Sequence, residues 1–382
     1  MIKSPMQIPS VFLGLLLYVA TAHAADWPSW RGPAQTGVAA ETDLVASWSP
    51  TGENLVWRAD FTGRSTPVVL NGRVFVIGRR GADIMEEGVI AAFDAETGAK
   101  IWEHANRIFH TTIPFNRVGW ASLAGDPETG YVYAHGVGGN FFCFDRDGNI
   151  IWSRSLTEEY GRISGYGGRV HTPVVDEDLV IISYLSSNWG NHTPGRHRYF
   201  AFDKKTGKQR WRVDREEVTS WASPIIVNHK GKVQLIISGT NRVRGYDVET
   251  GKSIWACGGM SRNIVASPVA GNGMVYAGSS YDKQAMVAIR LDGAQGDITG
   301  TNQVAWSRIR GTPYVPSPLL VNKSLYFLRH YQAIFTRAHA VTGKDEGTFR
   351  LGPIGNIYAS PVAAADRIYV TDRRGNTMVL SH

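Results

Sequence analysis

"FDAETGAKIW" at residues 93–102 returns as "FDRDGNIIW" at 144–152, "FDKKTGKQRW" at 202–211 and "YDVETGKSIW" at 246–255. Looser copies follow in "AIRLDGAQGDITGTNQVAW" (288–306), which carries an insertion, and "AHAVTGKDEGTF" (338–349), which lacks the Asp. A phrase that recurs at near-constant spacing marks a repeat architecture and governs every other reading of the chain. In the phrase, Asp can accept backbone N–H bonds of a turn and Gly supplies a positive φ. The turn joins two strands in fixed register, and the second strand carries Trp. The closing aromatics are Trp57, Trp102, Trp152, Trp211, Trp255, Trp306 and Phe349. Each is expected to dock into the gap beside the next repeat, where burying a large apolar side chain contributes roughly 1.5–3 kcal/mol. One Asp per unit on the same turn reads as architecture, not catalysis.

Working outward, each phrase ends a longer unit. The units open with "TPVV" (66–69), "WASLAG" (120–125), "TPVV" (172–175), "SPII" (223–226), "SPVA" (267–270), "SPLL" (317–320) and "SPVA" (360–363). Second and third strands follow, such as "RVFVIG" and "VIAAFD". Seven units of four short strands predict an all-β, seven-bladed β-propeller of antiparallel blades. The last unit stops at His382 without its Trp strand, while "NLVWRADF" (54–61) stands alone before the first opening. That N-terminal strand is expected to complete the last blade, which leaves no free sheet edge. The alternative is eight blades, if residues 26–50 form more than a wrapping segment. The expected division is a signal at 1–24, a wrapping segment at 25–53 and the propeller at 54–382.

Lys3, the apolar run "VFLGLLLYVA" (11–20) and "AHA" (22–24) stand in the order of a secretory signal cleaved after Ala24. The apolar run is too short for the roughly 20 residues of a membrane-spanning helix, and no later stretch is long enough. The reading is an exported, soluble protein, periplasmic or extracellular, and monomeric. At 382 residues, 43% hydrophobic and 19% charged, the composition is globular, and 12 Trp with 42 Gly suits short strands and tight turns. Cys143 and Cys257 read as buried free thiols, with a disulfide permitted but not required. No CxxC, HExxH or Cys/His cluster supports a metal site. The formal charge of +7 includes no basic block, so anionic partners are favoured without a case for nucleic acid.

"AFDAETGAKIW" and its copies resemble the A-x-D-x-x-T-G-x-x-x-W tryptophan-docking repeat of pyrroloquinoline-quinone-like (PQQ-like) β-propellers, over about residues 54–382. "DWPSWRGP" (26–33) is also similar to the start of many exported members. The resemblance implies the propeller fold within the quinoprotein alcohol dehydrogenase-like superfamily. It leaves function open, because the family holds both dehydrogenases and non-enzymatic propellers such as the outer-membrane protein assembly lipoprotein. The dehydrogenases carry adjacent cysteines over the quinone and a Glu/Asn/Asp set for calcium and base. Here the two Cys are 114 positions apart and no such set can be matched. The resemblance therefore points to the non-dehydrogenase branch, with no cofactor expected. Pyrroloquinoline quinone with calcium is the alternative.

Loops that enter the innermost strands rim one face of a propeller channel. They hold Arg64, Arg117, Trp120, Tyr166, Arg169, His171, Trp221, Arg262, Asn263, Tyr314, Asn356 and Tyr358. Turns between second and third strands are expected on the same face, bringing Arg79, Arg80, His135, Asn140, Asn188, Trp189, Asn241, Arg242, Tyr281, Arg329, His330, Arg373 and Arg374. This rim reads as rich in Arg and aromatics and poor in carboxylates. Arg matches carboxylate, sulfate or phosphate, while Trp and Tyr offer flat faces to rings or sugars. The bland reading is solvated arginines and aromatics that only pack blades. His171 lacks an identified catalytic partner, and His192 and His197 in "NWGNHTPGRHRYF" (188–200) suit a partner-contacting loop better than a metal. The expected function is a rigid binding scaffold for a protein partner or an anionic carbohydrate. The alternatives are a quinone oxidoreductase, or a hydrolase or lyase at the mouth.

Overall fold

The computed structural model describes residues 26–81, 86–108, 118–161, 163, 170–186, 196–215 and 220–382. The signal, Arg117, Tyr166, Arg169, Asn188, Trp189 and His192 lie outside them. Among the described residues the strands gather into seven sheets, one for each Ser/Thr-Pro or Ser-Leu opening. In each of the first six blades, four strands run antiparallel in chain order from the channel outward. Blade 1 is typical, with Val68–Leu70, Arg73–Arg80, Glu87–Asp94 and Lys100–Arg107. The fold is a seven-bladed β-propeller.

Apolar residues of second and third strands point into the seams. One seam gathers Phe75, Ile77 and Ile90 of blade 1 with Leu123, Val132 and Phe144 of blade 2. Similar clusters fill the seams from blade 2 through blade 7. Among the described residues no such cluster joins blade 7 to blade 1.

The repeated phrase works across these seams. The Asp94 carboxylate accepts the N–H groups of Glu96 and Thr97, at 3.1 and 2.8 Å, and Asp203 does the same for Lys205 and Thr206. The carbonyl just after the Asp position accepts the indole N–H of the preceding blade. Trp57 donates to Ala95 (2.9 Å), Trp102 to Arg146 (2.9 Å), Trp152 to Lys204 (3.0 Å), Trp211 to Val248 (2.9 Å) and Trp306 to Ala340 (2.7 Å). The turn Gly serves twice. At Gly207 φ is +68°, and a Cβ there would come within 2.7 Å of the Trp152 ring.

Two aromatics depart from this pattern. Trp255 stays buried in the blade 4–5 seam but donates to Gln234 of its own sheet at 2.8 Å. The blade 5 insertion explains the change: its Gly296–Asp297 strand folds back as a fifth strand on blade 4. Phe349 does not dock. It is 46% exposed and meets Phe335, its cross-strand partner. Without an indole N–H it has no donor to offer the next turn.

An N-terminal strand does close the last blade, but it is Val38–Ala39, paired parallel to the inner strand Val362–Ala364. The expected strand at 54–61 forms no ladder with Thr377–Ser381, and Leu55 and Val56 are exposed. Only Trp57 in that stretch keeps the docking position of an outer strand. Residues 26–39 run across the channel beneath the mouth. Trp27 exchanges backbone bonds with Val69, Pro28 accepts from Gly125, and the Gln35 side chain accepts from Ile226. Arg31 is 3% exposed and donates to the carbonyls of Thr36, Pro318 and Pro361 at 2.8–2.9 Å. Five of the seven inner strands or their openings thus bond to one short segment.

Candidate binding face at the channel mouth

The Ser/Thr that precedes Pro in each opening has a task the sequence reading missed. Thr66 N–H donates to the Ser122 hydroxyl (3.0 Å), Ser122 N–H to Thr172 (3.1 Å) and Thr172 N–H to Ser223 (3.3 Å). Ser267 N–H donates to Ser317 (2.9 Å), and Ser317 N–H to Ser360 (3.0 Å). Among the described residues these bonds make two arcs of a girdle around the channel, over blades 1–4 and blades 5–7, because a side chain there can accept the N–H that no sheet neighbour takes.

Above the girdle, the entry loops and the second-to-third-strand turns share one face. Trp221 N–H bonds the Ile264 carbonyl, Tyr314 N–H the His330 carbonyl and Arg373 N–H the Asn356 carbonyl. These bonds bring six residues singled out in the sequence, Trp221, Asn263, Tyr314, His330, Tyr358 and Arg373, into one line. The Trp221 indole donates to the Asn263 side-chain oxygen, and the Asn263 amide reaches the Tyr314 hydroxyl at 3.4 Å. Tyr314 stacks on His330 with ring centres 4.8 Å apart and 14° between planes. His330 meets Tyr331 at 4.3 Å, Tyr331 meets Tyr358 at 5.8 Å, and the Arg373 guanidinium lies 4.8 Å over Tyr358. Tyr281, 58% exposed, flanks Tyr314 at 5.9 Å. The line runs from blade 4 to blade 7. Tyr331 and Ser280, whose hydroxyl lies 2.6 Å from His330 Nδ1, were missed. Tyr331 follows His330 and Ser280 precedes Tyr281, and only their contacts with His330 reveal them.

The other candidates lie apart from this line. Arg262 reaches it from the side but is held by Asp282, with its N–H and Nε on the two carboxylate oxygens at 2.9 and 3.0 Å. Burial pushes Asp282 up, yet the bonds from Arg262 and Ser261 outweigh it and hold the carboxyl at about 2. Asp372 behaves alike: bonds from Gly355, Asn376 and Arg374 hold it at about 2 against burial. The rim is therefore not poor in carboxylates; its acids are tied to loops and arginines. Arg64 is exposed and Trp120 half-buried, both on the blade 1–2 side. His171 is buried, and burial, then His135 and Arg215, push its pKa down to about 3. An imidazole so shielded is not a general base for a substrate at the mouth. A cleft of about 260 Å³ opens at the opposite end, between residues 34–36 and blades 4 and 5, away from this line.

Among the described residues the donor set of a quinone-and-calcium site is not assembled. Cys143 and Cys257 are free, buried, and set in blades 2 and 4, and burial pushes both thiols up. Among the described residues no three His, Cys, Asp or Glu side chains converge to hold a metal ion.

The family described as outer membrane protein assembly factor BamB matches residues 32–190 and 86–381, nearly the whole described chain. The chain belongs to this PQQ-like repeat family. The PQQ-like propeller also matches a quinohemoprotein alcohol dehydrogenase from Comamonas testosteroni, at 26% identity over 203 residues. That match spans 50% of this chain but only 26% of the enzyme. Among solved structures, BamB from Moraxella catarrhalis superposes with a TM-score of 0.59 at 16% identity, over 91% of this chain and 97% of that one. A europium-containing methanol dehydrogenase gives 0.52 at 11% identity, over 94% and 89%. At such identities the superpositions speak for the fold alone. Among the described residues no helix is long and apolar enough to cross a membrane.

Proposed function

We propose that this chain is an exported, rigid, non-catalytic binding module that takes a protein partner on the mouth of its channel. The observation that carries the reading is the line from Trp221 through Asn263, Tyr314, His330, Tyr331 and Tyr358 to Arg373. Aromatics pre-stacked on a closed ring lose little conformational freedom on binding, which favours affinity without a deep pocket. The family description, an assembly factor, agrees with a protein partner. The test is a photo-crosslinking residue at Tyr281, with Lys344 at the opposite end as control. A discrete adduct with an envelope protein at position 281 alone is expected. Equal patterns at both positions would refute the mouth as the contact.

A second reading, an anionic glycan, is favoured by Arg373 standing over Tyr358, a pairing that fits a charged sugar on an aromatic face. Titration with uronic-acid and sulfated oligosaccharides, read by Trp221 fluorescence and repeated in Tyr358→Ala, separates it from the protein reading. A quinone enzyme would need the cysteine and calcium set that these residues do not supply. Reconstitution with quinone and calcium is expected to give no dye-linked alcohol oxidation.

A further inference from the structure

We propose that the cleft at the end opposite the mouth takes an extended, uncharged segment of a partner polypeptide, added as a strand to the inner edge of blade 4. The inner strand of that blade, Ile225–His229, is five residues long, against two or three in the other blades. Its hairpin closes at His229 and Lys232, across a two-residue turn. Such a closing pair bonds to itself, and bonded and unbonded pairs alternate along an antiparallel ladder. Ile226 and Asn228 therefore turn their N–H and carbonyl groups away from the sheet, toward the channel. In blade 5 Gly271 and Met274 close a turn of the same length, so Ala270 does likewise.

The chain itself shows what these edges take. At the position that Ala270 holds in its opening, Val69 exchanges both bonds with Trp27, at 2.8 and 3.0 Å. Gly125 N–H donates to the Pro28 carbonyl at 2.7 Å, and Ala363 N–H to the Gly37 carbonyl at 2.9 Å. Ile226 N–H donates to the Gln35 side-chain oxygen at 3.1 Å. Every acceptor is an amide oxygen, and all but one belong to backbone. Gln35 sits in a turn at a φ of +56°, and the segment goes on to pair with blade 7. Blade 4 thus receives a side chain where blades 1 and 7 receive a strand.

Beyond Ile226 the edge is open. Among the described residues the Ala270 N–H, and the N–H and carbonyl of Asn228, have no hydrogen-bond partner, and both residues line the cleft. A row of unpaired backbone groups is a template for another strand. A strand rises about 3.4 Å per residue, so a guest of two or three residues covers this edge. Ala34, Val227, Met274 and Leu291 supply apolar walls, and among the described residues no Asp, Glu, Lys or Arg lines the cleft. The lining therefore suits a segment with apolar or β-branched side chains and selects against a charged one. The site lies apart from the mouth and needs nothing from it.

The test is titration of the whole chain with the capped peptide acetyl-Val-Thr-Val-amide, followed in amide proton–nitrogen spectra. Concentrations up to about 10 mM suit the weak affinity of so short a strand. Saturable shifts at the Ala270 and Asn228 amides are expected, with the Tyr281 amide at the mouth unmoved. The fully N-methylated peptide cannot donate to the Asn228 carbonyl and should bind at least tenfold more weakly. Ala270→Pro removes an N–H that the sheet does not use, so it should weaken binding as much and leave the fold intact. If Ala270→Pro does not fold, Ala34→Trp, at an exposed position of the cleft, should block the peptide instead. Tyr281→Ala should change nothing. No saturable shift, or binding indifferent to N-methylation and to the cleft variants, overturns the proposal; a cleft that holds only water gives the first result. Shifts that follow the protein's own concentration without peptide would assign the cleft to a second copy and overturn it too.

Discussion

Gly207→Ala and Gly231→Ala replace glycines of similar backbone, with φ at +68° and +81°, and should differ sharply in cost. Both substitutions force an L side chain into the left-handed region, at about 1 kcal/mol. At Gly231 nothing lies within 4 Å of the new Cβ, so that cost stands alone. At Gly207 the Cβ would meet the Trp152 ring at 2.7 Å, and the indole must retreat from the blade 3 turn. Overpacking of this kind costs about 1–3 kcal/mol. The displaced ring also strains the 3.0 Å bond from Trp152 Nε1 to the Lys204 carbonyl, whose loss is worth about 1 kcal/mol. We therefore expect about 3 kcal/mol for Gly207→Ala against about 1 for Gly231→Ala. Trp152→Phe keeps an aromatic ring and loses the bond, and should fall between them. Urea unfolding followed by tryptophan fluorescence and circular dichroism would report midpoints at comparable slope. Equal midpoints for the two alanine variants would refute the claim that the turn glycine is a seat for the neighbouring indole.

Arg31→Met should destabilise by roughly 3 kcal/mol or more, because three buried carbonyls lose a charged donor, and limited proteolysis should then cut within residues 26–39. Trp57→Ala should loosen the ring where no apolar cluster joins blades 7 and 1, so hydrogen exchange should rise first in 362–381 and 68–80; uniform exchange would count against a weak seam. Burial pushes His135 down to about 4 and His171 to about 3, below the 6.5 of an unfolded chain. The folded state then holds fewer protons, so this stability is fully present above pH 6.5 and declines as pH falls toward 3–4. In chloride at pH 5 the loss should be roughly 2 kcal/mol per histidine, and His171→Gln should flatten the thermal-midpoint profile between pH 7 and 5.

What could be read from the sequence follows from how many residue types can do each job. Asp203, Gly207 and Trp152 were legible because a carboxylate accepting turn N–H groups, a residue at positive φ and a large apolar indole are each filled by few alternatives. The blade count followed, since each job recurs once per seam. Arg31 was not legible, because its partners are the backbone carbonyls of Thr36, Pro318 and Pro361, and a carbonyl leaves no trace in residue identity. The Ser/Thr girdle was seen as strand openings only, since a hydroxyl before Pro has many uses and its donor lies 43–56 positions away. Phe349 shows the limit of reading by position: it holds the place of a docking Trp, but the docked state needs the indole N–H as well as the ring. At the mouth, Trp221, Asn263, Tyr314 and Tyr358 were expected from their places before the strand openings, but their order along one line is set by contacts across four blades. Arg262 looked free because its carboxylate, Asp282, sits on a turn whose register against that loop only the closed ring fixes. The architecture is thus written in residues that answer to their own turn. The proposed binding face depends on pairs that become neighbours only once the ring has closed, so a change at a distant seam such as Trp57 should alter the mouth without touching it.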